Sequence, residues 1–233
     1  MKKLLYDDII AWQKTSFIDF PRTVSTVLFF SGCNLRCPYC HNSDIVYNKY
    51  PNIQSDILES YLKRKKNIID GVVITGGEPT LHSNLKDLIQ HFRKMDYKVK
   101  LDTNGLLPDV ILSVIHDIDY LAIDVKTSPK SYKNKLSAIY DDCNERLEQS
   151  INLIDMSKIS YEVRITVAQS IITFDDIKTI GQLIQHINGK VYLQKMNKNS
   201  RTLDELFSDN TNDKTIEMYK NELLKYVSHC EIR

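Results

Sequence analysis

Six short runs rich in β-branched and aromatic residues recur along the chain, each followed by a longer stretch with helical periodicity. They are "VSTVLFFSG" at 24–32, "GVVITGG" at 71–77, "KVKLDTNG" at 98–105, "DYLAIDVK" at 119–126, "YEVRITVA" at 161–168 and "KVYLQKM" at 190–196. Between them, "SDILESYLKRKK" places Ile57, Leu58, Tyr61 and Leu62 on one helical stripe, with Ser55 as its expected cap. "SNLKDLIQHFRKM" does the same with Leu85, Leu88, Ile89 and Phe92, and "DDIKTIGQLIQHI" with Ile177, Ile180, Leu183, Ile184 and Ile187. Near-continuous apolar strands interleaved with amphipathic helices predict an α/β fold, a parallel sheet covered by helices and closed fully or in part into a barrel. Ligands of such sheets gather at the carboxyl ends of the strands.

The unusual motifs of this sequence fall at those predicted ends. Three clustered cysteines follow the first strand, "GGEP" ends the second, "DTNG" the third and "DVK" the fourth, while Arg164 lies in the fifth and Gln194 in the sixth. No internal repeat or low-complexity linker interrupts the pattern. The charged stretch from Lys195 to Lys214 reads as a mobile loop, followed by a final helix and a short strand at "CEIR".

Composition narrows the function classes. With 31 basic and 30 acidic side chains and a net charge of +1, the chain lacks the field that draws a protein to nucleic acid. Asp7 and Asp8 interrupt the apolar run of "MKKLLYDDIIAWQ" before a signal sequence can form, and no stretch approaches the length of a membrane span. A cytoplasmic protein with neither nucleic-acid nor membrane partners is expected. Five cysteines, three of them clustered, do not describe a secreted disulfide framework. Cys143 and Cys230 stand apart and read as buried or incidental thiols.

"SGCNLRCPYCHN" places Cys33, Cys37 and Cys40 in the pattern C-x-x-x-C-x-x-C. Three thiolates are one ligand short of a closed structural zinc site, and the adjacent His41 is the nearest fourth donor, although neighbouring residues seldom converge on one tetrahedral ion. The other reading is an iron-sulfur cluster of four irons, one of which is left open to chelate a substrate.

With Tyr39 just before the last cysteine, the motif resembles the hallmark of the radical S-adenosylmethionine enzymes. The resemblance implies a 4Fe-4S cluster held by Cys33, Cys37 and Cys40, S-adenosylmethionine as second cofactor, and a partial (β/α)6 barrel of parallel strands. The whole chain would then be a single domain, its core at about 16–196, with loop, terminal helix and short strand in 197–233. Tyr39 and His41 belong by this resemblance to the cofactor-binding residues. Gly76, Gly77, Glu78 and Pro79 match the family's GGEP motif, whose backbone carbonyls and glutamate accept hydrogen bonds from the methionine ammonium. Asp102, Thr103, Asn104 and Gly105 resemble the DTNG motif of glycyl-radical activating enzymes, and the segment from Asp124 to Lys126 resembles their next strand end. In that group two aspartates, here Asp102 and Asp124, help hold a monovalent cation near the cofactor carboxylate. Lys126 and Arg164 are natural partners for a carboxylate or ribose, the alternative for each being a strand-end salt bridge. Gln194 is a candidate adenosine contact, or else a solvated strand-end side chain.

"CPYCHN" further resembles the activating enzymes of pyruvate formate-lyase and anaerobic ribonucleotide reductase. "SFIDFPRTVSTVLFFSGCN" resembles the IDFPG opening of the activating proteins of anaerobic ribonucleoside-triphosphate reductase, with Arg22 in place of the glycine. The implied activity is reductive cleavage of S-adenosylmethionine, with an electron from flavodoxin or ferredoxin, to a radical that removes hydrogen from a glycine of the partner enzyme. A small-molecule radical enzyme such as a 7-carboxy-7-deazaguanine synthase, and a non-catalytic zinc module, are the alternatives.

Overall fold

The structure, a computed structural model, describes residues 5–196 and 201–233. In chain order the strands are β1 (Ile9–Ser16), β2 (Ser25–Phe30), β3 (Gly71–Gly76), β4 (Lys98–Thr103), β5 (Tyr120–Asp124), β6 (Ser160–Val167), β7 (Lys190–Lys195) and β8 (Cys230–Ile232). The helices are α1 (Ser43–Val46), α2 (Ser55–Lys65), α3 (Leu85–Lys94), α4 (Pro108–Val114), α5 (Tyr132–Leu136), α6 (Cys143–Met156), α7 (Phe174–Ile184) and α8 (Asp213–Leu223). The strands are ordered β1 to β8 in one sheet. β2, β3 and β4 pair in parallel, as do β6, β7 and β8, whereas β1 runs antiparallel to β2. All six predicted parallel strands are present, as is the short strand at the C-terminal end.

β1 was not legible in the apolar pattern. Only Ile9, Ile10 and Ser16 are buried, and Gln13 and Lys14 are exposed, as befits an edge strand with a single ladder partner.

Residue contacts gather in two compact units. One comprises the described residues up to Cys33, Asp44–Thr103 and Asp109–Leu121; the other comprises Asn34–Ser43, Asn104–Pro108 and Ala122–Arg233. In the first unit Phe20, Val27 and Val73 form a cluster joined by Phe29 and Tyr120. α2 buries Leu58, Tyr61 and Leu62. Ile57, expected on that stripe, is 50% exposed, and Ser55 lies inside the helix behind Gln54, whose side chain makes no cap bond. α3 buries Leu85, Leu88, Ile89 and Phe92 as its period predicts.

In the second unit α7 starts with a capping box in which the Thr173 side chain accepts from the Asp176 N–H and the Asp176 carboxylate from the Thr173 N–H. Asp176 Oδ2 also holds Lys135 at 2.7 Å, which ties α5 to the start of α7. Ile177, Ile180 and Ile184 are buried. Ile187 lies past the helix end and is buried there too.

The expected mobile loop is corrected over its described part. Thr202 and Thr211 are buried, and the Gln169 N–H donates to Asp209 Oδ1 and Thr211 Oγ1 at 2.7 and 2.9 Å. The charged side chains point outward while the backbone is engaged, and composition records only the former. Residues 197–200 of that stretch lie outside the described residues. Among the described residues no helix is long and apolar enough to cross a membrane.

Candidate active site

The cysteine loop leaves β2 through Gly32, whose φ of +72° is the left-handed turn that glycine favours. In the first unit the Ser31 N–H donates to Asp8 O and the Gly32 N–H to Ile45 O, at 3.0 and 2.9 Å. His82 Nε2 approaches Ser31 O at 2.8 Å, so the segment leading to Cys33 is held on both sides.

Residues 34–43 are pinned within the second unit. The Arg36 N–H donates to Leu136 O at 2.7 Å, and the Cys40 N–H closes a turn on Cys37 O at 2.9 Å. The Leu203 N–H donates to Cys40 O at 2.8 Å and the Asp204 N–H to Pro38 O at 3.1 Å. Asn104 Nδ2 donates to Asn34 Oδ1 at 2.7 Å, with both side chains buried. The Tyr39 ring lies 6.2 Å from that of Phe207. Residues 201–207 thus form a strap over the cysteine loop.

Cys33, Cys37 and Cys40 form no disulfide. Burial pushes the Cys37 thiol up to about 11, partly offset by the Lys126 ammonium. Tyr39 is buried, and its electrostatic neighbours include the Cys37 and Cys40 sulfurs, with the hydroxyl against the Cys37 thiol. His41 is exposed, with Nδ1 3.3 Å from Arg201 O. Among the described residues no three Cys, His, Asp or Glu side chains are grouped to hold a single ion.

The GGEP segment ends β3 in the first unit. The Gly77 N–H donates to Phe30 O and the Glu78 N–H to Gly32 O, both at 2.8 Å. A Cβ at Gly77 would lie 1.7 Å from Gly32 O, and one at Gly76, where φ is +114°, would lie 2.4 Å from Phe30 N. Both glycines are therefore required by the passage of the β2–Gly32 backbone. Glu78 is fully buried. Its Oε1 accepts from Thr80 N, Thr80 Oγ1 and Thr103 Oγ1 at 3.1, 2.5 and 2.8 Å. It ties the end of β3 to the end of β4, a bracing role that the motif alone did not reveal. Pro79 opens a short 3-10 turn, Pro79–Leu81.

Asp102, near the end of β4, receives Lys100 Nζ at 2.6 Å. In the second unit Asp124, at the end of β5, receives Arg164 Nε at 2.7 Å, Arg164 Nη2 at 3.1 Å and Lys126 Nζ at 3.0 Å. Burial works against the charge of Asp124, but Arg164 and Lys126 outweigh it and hold the carboxyl well below the usual carboxylate range. The Lys126 N–H is fixed in turn by Tyr132 Oη at 2.8 Å. The salt-bridge alternative for Lys126 and Arg164 is thus realised in the structure. Gln194 sits half-buried in β7, in register with Thr166. Sequence reading missed Lys100, although the spacing K-x-D puts both side chains on one face of a strand. Asn34 and the strap were missed as well, because their partners lie far away in sequence, and Tyr132 because its bond is to a backbone N–H, which leaves no mark in the sequence.

These residues and the mostly parallel sheet define the class: an α/β protein with a three-cysteine loop after its first parallel strand and polar motifs at the ends of the next three. Residues 27–184 match the Radical SAM superfamily, and the chain belongs to it. A "Putative glycyl-radical enzyme activating enzyme" of Methanocaldococcus jannaschii is 32% identical over 176 residues, 73% of this chain and 72% of that protein. The 7-carboxy-7-deazaguanine synthase of Haemophilus influenzae is 38% identical over 109 residues, 46% of this chain and 44% of the synthase. The crystal structure of QueE from Escherichia coli has the same fold, with a TM-score of 0.59 at 14% identity over 97% of this chain and 92% of that one.

The family implies a 4Fe-4S cluster and S-adenosylmethionine. The residues present fit: the three cysteines form no disulfide, the buried Tyr39 hydroxyl lies beside the Cys37 thiol, and the Lys126 ammonium favours the Cys37 thiolate. Thiolate donors suit iron-sulfur clusters. The only fourth zinc donor named from the sequence, His41, is exposed beside Arg201 O.

Proposed function

We propose that this protein activates a glycyl-radical enzyme, with anaerobic ribonucleoside-triphosphate reductase as partner and flavodoxin or ferredoxin as reductant, in the cytoplasm. The observation that carries this reading is the likeness to the archaeal protein named as an activating enzyme, which runs through 73% of the chain. Likenesses to 7-carboxy-7-deazaguanine synthases cover 46% of the chain at 38% identity in Haemophilus influenzae and 81% at 25% identity in Rickettsia prowazekii, so span and identity together, not span alone, favour the activating enzyme. The DTNG strand end and the "CHN" continuation of the cysteine motif point the same way.

When bound, the cluster and S-adenosylmethionine supply one-electron cleavage of a sulfonium and a radical able to abstract hydrogen. The chain's own residues bind and orient. Cys33, Cys37 and Cys40 contribute the thiolates, and the Asn34–Asn104 bond and the strap hold the loop that carries Cys37 and Cys40. Gly76 and Gly77 keep the GGEP backbone close to β2, leaving its carbonyls for the methionine ammonium. Asp124 holds Lys126 and Arg164 in place for a carboxylate or ribose. Tyr39, His41 and Gln194 complete the cofactor-binding set, with Gln194 toward adenosine. Burial of Cys37, Tyr39 and Glu78 excludes water and fixes orientation, which is where a protein adds rate to cofactor chemistry.

The test is electron paramagnetic resonance of anaerobic mixtures of this protein, S-adenosylmethionine, a reductant and anaerobic ribonucleotide reductase. A glycyl doublet on the reductase is expected. Its absence, together with formation of 7-carboxy-7-deazaguanine, would favour the synthase reading, which the likenesses to the Haemophilus influenzae enzyme and, in fold, to QueE keep in view.

A further inference from the structure

Lys100 is a charged side chain in an unusual place. It lies in the middle of β4, in register with Val73 of β3, and is only 2% exposed. Its ammonium sits 2.6 Å from Asp102 Oδ1 and 5.9 Å from the centroid of the Tyr120 ring. A buried ammonium persists only when an anion compensates it, and the two-residue period of a strand places Lys100 and Asp102 on the same face. The pair is therefore built into β4 by sequence spacing alone.

The resemblance to activating enzymes implies a monovalent cation on Asp102 and Asp124, and neither residue fits that role here. Asp102 carries the Lys100 ammonium. Asp124 carries the Arg164 guanidinium on both oxygens and the Lys126 ammonium as well. A potassium or sodium ion at Asp102 would have to displace a tethered cation or sit beside it, and in a poorly solvated site the like charges repel with little screening.

We propose that the Lys100 ammonium is this protein's built-in monovalent cation, neutralising Asp102 so that S-adenosylmethionine binds without potassium or sodium. The proposal rests on the activating-enzyme reading of the site, and Lys100 acts in it as a positioning residue through Asp102.

Its test is equilibrium binding of S-adenosylmethionine to the cluster-loaded protein in potassium, sodium or tetramethylammonium chloride at equal ionic strength, with the thermal midpoint of the protein measured in the same salts. The wild type is expected to bind with less than about twofold difference among the salts and to melt at one temperature in all three. Lys100→Met, which keeps the buried methylenes, should bind about tenfold more weakly in tetramethylammonium and recover in potassium or sodium. Lys100→Met with Asp102→Asn removes both charges and should fold and be indifferent to the salt. If potassium or sodium tightens wild-type binding about tenfold over tetramethylammonium, or selectively raises the wild-type midpoint, the proposal is overturned. A wild type that binds no S-adenosylmethionine in any salt contradicts the activating-enzyme reading instead, and the midpoints of the wild type and the two variants still decide the role of Lys100.

Discussion

Arg22 stands where the activating proteins it resembles carry glycine, and the backbone explains why glycine belongs there. Pro21 and Arg22 are the central pair of a turn closed by the Thr23 N–H on Phe20 O at 3.1 Å, and Arg22 has a φ of 59°. A turn with positive φ at that second position favours glycine, and a larger residue pays in strain. Arg22→Gly is therefore expected to raise stability by about 0.5–1 kcal/mol in urea unfolding; a loss of stability would mean that the arginine side chain contributes more than its backbone conformation costs. Single residues were unevenly legible. The three cysteines and the two glycines of GGEP could be read directly, because each is a local pattern with one chemical purpose. Glu78 was legible as a motif member but not as the buried brace between Thr80 and Thr103, since its second partner lies 25 positions away. Lys100 was readable in principle, but a lysine in a strand is ordinarily solvated and draws no notice.

At the scale of elements, strong periodicity carried the reading. α3 buries the face that its apolar spacing predicts, α7 does so except for half-buried Leu183, and strands β2 to β7 bury their valines, leucines and isoleucines. The pattern failed where an element is held by backbone bonds and not by an apolar face. β1 is such an element, and so is the strap at residues 201–207, whose amides reach Cys40 O and Pro38 O. Leu203→Pro removes the N–H that meets Cys40 O. At about 1 kcal/mol for a net hydrogen bond, the cysteine loop of that variant should open about fivefold more often. Loss of iron to a chelator from the anaerobically loaded variant should accelerate by that factor, with an unchanged far-ultraviolet circular dichroism spectrum; an unaltered rate would show that the strap does not secure the loop.

For the whole molecule, membership of the Radical SAM superfamily rests on residues 27–184. Each compact unit supplies part of the motif set: Cys33, GGEP and Asp102 in one, Cys37, Cys40, Asp124 and Arg164 in the other. The proposed activity of the chain is reductive cleavage of S-adenosylmethionine, and its most direct measurement is 5′-deoxyadenosine formation by the anaerobically loaded, dithionite-reduced protein. Wild type should release 5′-deoxyadenosine and methionine in equal amounts, while Cys37→Ala should retain less iron and form neither. Absence of 5′-deoxyadenosine from the fully loaded wild type, or undiminished formation by Cys37→Ala, would contradict the account.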